Sequence, residues 1–221
     1  MRRVRILASL LLSASNALAA PFAMQVGEAR LALDAPPAFA DVQAMGSPRL
    51  FELAESLTSP SNRILLFALE DADVRRFSVG DSLELRRYVI VVTPKSLEDA
   101  RTTLAAFHAL VADALRELGP PAPASSDVRQ YLDAQARGRP GLIAELRKDQ
   151  EVVTVLQGAR LPEAPRAREA RYLLSTMTLM LVRGKALNLA IYTSYAGGAD
   201  LEWIRATTLR WIDELQRLNN R

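Results

Sequence analysis

The sequence predicts an α+β fold: a mostly antiparallel sheet of about six strands covered by two long helices, an α/β/α sandwich. Three observations predict it. Residues 172–195 alternate as a long β-hairpin. The following twenty residues carry apolar side chains at steps of three and four, one face of a helix. The remaining strand-like and helix-like stretches mix without a regular βαβ alternation.

The hairpin rests on parity. Every second residue from Leu173 gives Ser175, Met177, Leu179 and Leu181, and the same step after Arg183-Gly184-Lys185 gives Leu187, Leu189, Ile191, Thr193 and Tyr195. A three-residue connection at 183–185 is the favoured register, setting Leu181 against Leu187, Leu179 against Leu189 and Met177 against Ile191. A two-residue turn would instead set Leu187 and Leu189 opposite Val182 and Met180. Asn188, Ala190, Tyr192 and Ser194 form the paler face of the second strand, suited to partial solvent contact. Asp200 is the expected N-cap of the closing helix, with Leu201, Ile204, Thr208, Trp211, Leu215 and Leu218 on its buried face.

The N-terminus has the three parts of an export signal. Arg2, Arg3 and Arg5 form the positive end, Ile6 to Leu12 the apolar run, and Ala17-Leu18-Ala19 a small-x-small cleavage site. The predicted organisation is a signal peptide at 1–19 and one α+β domain at 20–221, giving a periplasmic or secreted chain with no stable membrane insertion. Cleavage removes three arginines and no acid, leaving 25 basic against 25 acidic side chains, so no net positive field is left to attract nucleic acid. Without cysteine there are no disulfides, and the fold must stand on its core. About 200 residues suffice for that, burying roughly 70% of their unfolded surface.

Taken in order, Gln25 to Leu33 reads as a first strand ended by Ala35-Pro36-Pro37, with Phe39 as a plug under the sheet. Leu50 to Leu57 is either a short strand or one helical turn. Arg63 to Leu69 is a buried strand, residues 70–82 a polar connection, and Leu83 to Thr93 another strand. Ser96 with Asp99 opens a helix whose apolar face runs from Leu97 through Leu104, Phe107 and Val111 to Leu118. Pro120-Pro121-Ala122-Pro123 stops it. Residues 127–148 suggest a helical insert of two short helices broken at Gly138-Arg139-Pro140, followed by a strand from Glu151 to Gln157.

This order of elements resembles the PsbP-like superfamily of α/β sandwiches, which includes DcrB-like exported proteins. The residues that carry the resemblance are Leu31-x-Leu33 with Pro36, Pro37 and Phe39, the strand–helix unit at 84–118, and Arg183-Gly184-Lys185 with the Trp211 helix. The resemblance implies a non-catalytic scaffold that binds a larger protein or assembly. The stretch 127–148 fits it least.

No assembled catalytic set is legible. His108, the single histidine, flanks the long helix, and no G-x-S-x-G elbow supplies a serine for it. One histidine without cysteine is a poor zinc set. Glu70, Asp71, Asp73, Asp81 and Glu84 lack the order of a calcium loop and read as a solvated segment. No metal or cofactor is expected. The expected function is an exported binding or accessory module for a protein or cell-envelope component; the alternative is a periplasmic hydrolase using carboxylates or His108. A third reading, a small-ligand carrier, would need a pocket lined by Met177, Leu179 and Phe107. The candidate partner-binding residues are Arg160, Arg166, Arg168 and Arg171, whose guanidiniums suit an acidic partner or anionic headgroups, together with Tyr192 on the paler strand face.

Overall fold

Among the described residues seven antiparallel strands lie side by side in the order 39–41, 62–70, 87–94, 185–195, 172–182, 152–160 and 141–148, and a separate two-stranded hairpin pairs 22–26 with 29–33. The structure is a computed structural model describing residues 21–123, 127–162 and 170–220. The expected signal peptide, Arg166 and Arg168 lie outside those residues. In chain order the elements are β1 (Phe22–Val26), β2 (Ala29–Leu33), β3 (Phe39–Asp41), α1 (Pro48–Ser56), β4 (Asn62–Glu70), α2 (Asp71–Ser78) and β5 (Arg87–Pro94). Then follow α3 (Leu104–Leu118), α4 (Val128–Asp133), β6 (Gly141–Lys148), β7 (Val152–Arg160), β8 (Tyr172–Val182), β9 (Lys185–Tyr195) and α5 (Gly198–Asn219). No described helix is long and apolar enough to cross a membrane.

The α+β class and the antiparallel sheet are as expected, with more strands and more short helices than expected. The β8–β9 hairpin turns on two residues, Arg183 and Gly184, both at positive φ, which suits the right-handed twist of the strands. The favoured three-residue register is therefore wrong. The partners expected of a two-residue turn are wrong as well: Val182 faces Lys185, so Leu187 faces Met180 and Leu189 faces Thr178. Leu187, Leu189 and Ile191 point into the main core as expected, but on β8 the buried parity is Leu174, Thr176, Thr178, Met180 and Val182.

That core lies between one face of the sheet and α5. Ile204, Trp211, Ile212 and Leu215 of α5 pack against Val89, Val91, Leu156, Leu174, Leu189 and Ile191. The β1–β2 hairpin closes the same core with Val26, Leu31 and Leu33, and α5 is tied to it by hydrogen bonds. Trp211 Nε1 donates to the Asp34 carbonyl at 2.8 Å, and the Asn219 amide exchanges bonds with the Ala32 backbone at 2.8 and 2.9 Å. Asp200 is not the N-cap. It sits within the first turn, where its carboxylate accepts from the Ala196 and Gly197 amides.

Alternate residues of the same strands build two smaller clusters on the opposite face. Phe67, Leu69, Tyr88, Ile90 and Val92 pack with Leu50 and Ala54 of α1, while Val153 packs with Phe107 and Val111 of α3. Further corrections concern boundaries. The first strand is a hairpin folded at Gly27, whose φ is 51°. The polar connection contains α2, whose acids Asp71 and Asp73 lie at its N-terminal end and Arg75 and Arg76 at its C-terminal end, as the helix dipole favours. Strand β5 starts only at Arg87. Ser96 does not open α3; Thr103 does, its hydroxyl accepting from the Ala106 amide.

The expected helical insert is half helix and half strand. Residues 141–148 form β6, the edge strand beside β7. Leu, Ala, Glu, Arg and Lys are good helix formers, so propensity pointed the wrong way and pairing with β7 overrode it. The helical half, α4, seats where Gly141 faces Gly158: a Cβ on Gly141 would run into the Tyr131 ring of α4, one on Gly158 would crowd Ile143 and Leu132, and Leu132 is fully buried there.

Candidate functional site: an arginine corner at one end of the sheet

The end of β7, the starts of β8 and β6 and the helix α4 meet at one corner of the sheet. Arg160 closes β7 and stands across from Tyr172, which opens β8. Its backbone carbonyl accepts from the Gly138 amide, which draws Arg137 and Arg139 to the same place. The Arg171 carbonyl accepts from the Leu161 amide, which fixes Arg171 beside them. Arg129 projects from α4 over the rings of Tyr172 and Tyr195, 6.0 and 5.8 Å from their centres, and donates to the Ala196 carbonyl at 2.5 Å.

Two tyrosines and one aspartate hold Arg129 and Arg160. Tyr172 and Tyr195 meet edge to face, with ring centres 6.4 Å apart. Asp133, at the end of α4, accepts from the Tyr172 hydroxyl at 2.8 Å and from Arg160 at 3.2 Å. The bond to Asp133 is the main reason the Tyr172 phenol titrates above its ordinary value; burial adds to it. Burial also raises Tyr195, with the Asp127 charge adding to it and Arg129 opposing. At this corner Arg129, Arg137, Arg139, Arg160 and Arg171 outnumber Asp127, Asp133 and Asp200 among the described residues, although the whole chain is near neutral without its expected leader. Arg129, Arg137, Arg139 and Arg171 are exposed.

Of the residues expected to bind a partner, Arg160 and Arg171 are brought together here. Tyr192 is not part of the corner. It is half-buried, stacked on Tyr88 with ring centres 4.4 Å apart and planes 10° from parallel, in the packing on the α1–α2 side. Burial raises the phenols of both, so both stay neutral across the physiological range. Arg129, Arg137 and Arg139 were missed because 127–148 reads as an insert. The signal available was the run of arginines flanking Gly138, as dense as the one after Arg160.

The other candidates separate from one another. His108 lies on α3, its Nε2 donating to the Gln150 carbonyl at 2.9 Å, at the rim of an open groove. The acids follow β4, with β5, β9 and β8 between them and the β6–β7 side of the sheet. Glu70 pairs with Arg87 and Glu84 with Arg76, while Asp73 is buried and accepts from the Glu84 and Leu85 amides. No three His, Asp or Glu side chains gather as a metal set among the described residues. Phe107 and Leu179 belong to the small cluster around Val111 and Val153, and the groove beside it is not lined by Met177, Leu179 or Phe107, the residues a carrier pocket would have used.

No protein-family model matches the chain, and no curated protein matches it. Among solved structures, the Ran-binding protein Mog1p of Saccharomyces cerevisiae is similar with a TM-score of 0.36 and 10% identity, covering 92% of this chain and 94% of that one. At that level neither fold family nor function transfers from one chain to the other.

Proposed function

We propose that the chain is an exported, non-enzymatic accessory module, a PsbP-like α/β/α sandwich, that recognises an acidic segment of a protein partner through the arginine corner. The observation that carries this reading is the gathering of Arg129, Arg137, Arg139, Arg160 and Arg171 at the corner where β7 closes and β8 opens, with Arg129 over the rings of Tyr172 and Tyr195. Arginine and tyrosine are the side chains that dominate binding hot spots, because guanidiniums grip carboxylates two-pronged and tyrosine offers rigid area with a polar tip. Export is supported by the Arg2 to Ala19 pattern. The non-catalytic reading is supported by the separation of His108 from the acids at 70–84, by the commitment of Asp149 to Arg147 and by the carbonyl that His108 bonds.

A photo-crosslinking residue placed at Arg139 tests it in cells that make the full chain. The reading expects a discrete protein adduct, lost when the same group is moved to Glu28 on the β1–β2 turn. Equal adducts at both positions, or none at Arg139, overturn it.

A further inference from the structure

The open groove beside α3 lies at the opposite end of β6 and β7 from the arginine corner. Strand β7 spans nine residues, so the two sites are roughly 25 Å apart, at about 3.3 Å per residue. The groove has a volume of about 890 Å³. Its floor is Val111, Ala112, Leu115 and Val153, and its rim is His108 with Lys148, Asp149 and Gln150 of the β6–β7 turn.

The polar groups of that rim are largely committed to one another. Asp149 takes the Arg147 guanidinium at 2.5 Å, which raises the Arg147 pKa, and the Gln150 carbonyl takes His108. Lys148 differs. Its nearest carboxylate, Glu145, is 3.9 Å away, and both side chains are about half exposed or more, where such a pair is nearly neutral in energy. The floor offers no hydrogen-bonding side chain to a sugar, a nucleotide or a polar peptide. What the groove complements is an apolar chain with one negative end.

We propose that this groove binds a single-chain anionic amphiphile, its alkyl chain along Val111, Ala112, Leu115 and Val153 and its carboxylate at Lys148.

His108 is the single histidine and stands on the rim, so its ring resonances report occupancy without assignment work. The test titrates the purified chain with octanoate, decanoate and dodecanoate below micelle formation. The proposal expects saturable shifts of the His108 signals, with Kd tightening about fourfold per methylene buried. Ala112→Trp fills the groove from an exposed helix position and should abolish the shifts while the thermal transition remains. Lys148→Glu should weaken decanoate about tenfold or more and leave 1-decanol unchanged. Unsaturable shifts, or binding that survives Ala112→Trp in the folded variant, overturn the site. Equal loss of decanoate and 1-decanol in Lys148→Glu overturns the carboxylate assignment. The arginine corner is untouched by either variant, so failure here leaves the crosslinking result to stand or fall alone.

Discussion

The Tyr172 hydroxyl donates to Asp133 across 39 residues of sequence, and the carboxylate oxygen that accepts it also accepts Arg160. One side chain of α4 thus anchors both a ring and a cation of the arginine corner. Replacing Asp133 by Asn removes the charge that opposes ionisation of the phenol. In an alkaline absorbance titration, Tyr172 should ionise at lower pH in Asp133→Asn than in the parent, with Tyr172→Phe identifying the signal. An unchanged titration would mean the bond is not made in solution.

Asp34 should make stability depend on acid pH. Its carboxyl is buried, with one oxygen unpartnered, and burial, then the nearby Glu214 charge, outweigh the Ala35 amide in raising its pKa. An acid that holds its proton more tightly when folded favours the fold at low pH. That contribution is fully present below the unfolded value, about 3.9, and is lost as pH climbs through the folded value. Asp34→Asn should therefore melt above the parent at pH 7, with the gap closing on acidification toward pH 4. Asp41, shifted the same way by burial, contributes equally to both proteins and cancels in the difference.

The closing helix should be indispensable. Trp211 is 2% exposed and joins α5 to the β1–β2 side through Asp34. Trp211→Ala should cost about 3–5 kcal/mol, from lost burial and the cavity left behind. A domain of this size has only about 5–15 kcal/mol in hand. Chains ended before Gly198 should show no cooperative melt by circular dichroism.

What the sequence made legible follows from how uniform each face is. The buried face of β9 carries three successive apolar side chains, Leu187, Leu189 and Ile191, between the buried Lys185 and Thr193, and so it could be read. The buried face of β8 contains Thr176 and Thr178, and hydropathy sent that parity outward. Thr176 is buried because its hydroxyl meets Thr208 of α5 at 3.2 Å, a pairing between elements that no local pattern reveals. The same holds for the site. Arg160 and Arg171 are adjacent in the chain's own hairpin geometry, whereas Arg137 and Arg139 reach them only because β6 pairs with β7.

The arginine corner should also show itself in salt. Its attraction to an acidic segment acts between exposed charges, which are screened beyond about 10 Å at 0.1 M salt. Partner recovery by the parent chain should fall as salt rises from 0.05 to about 0.5 M, where the screening length drops below roughly 5 Å. Recovery insensitive to salt would point to an apolar contact elsewhere.

The most direct test reverses charge at Arg139 and Arg171, whose side chains are exposed. The double variant Arg139→Glu/Arg171→Glu should keep the parent's melting temperature within a few degrees, as surface substitutions do. Quantified by mass spectrometry from a gentle crosslinked pull-down, it should recover at least about tenfold less of the parent's partner, a loss of roughly 1.4 kcal/mol or more. Equal recovery by a folded double variant would contradict the claim that this corner is where the partner binds.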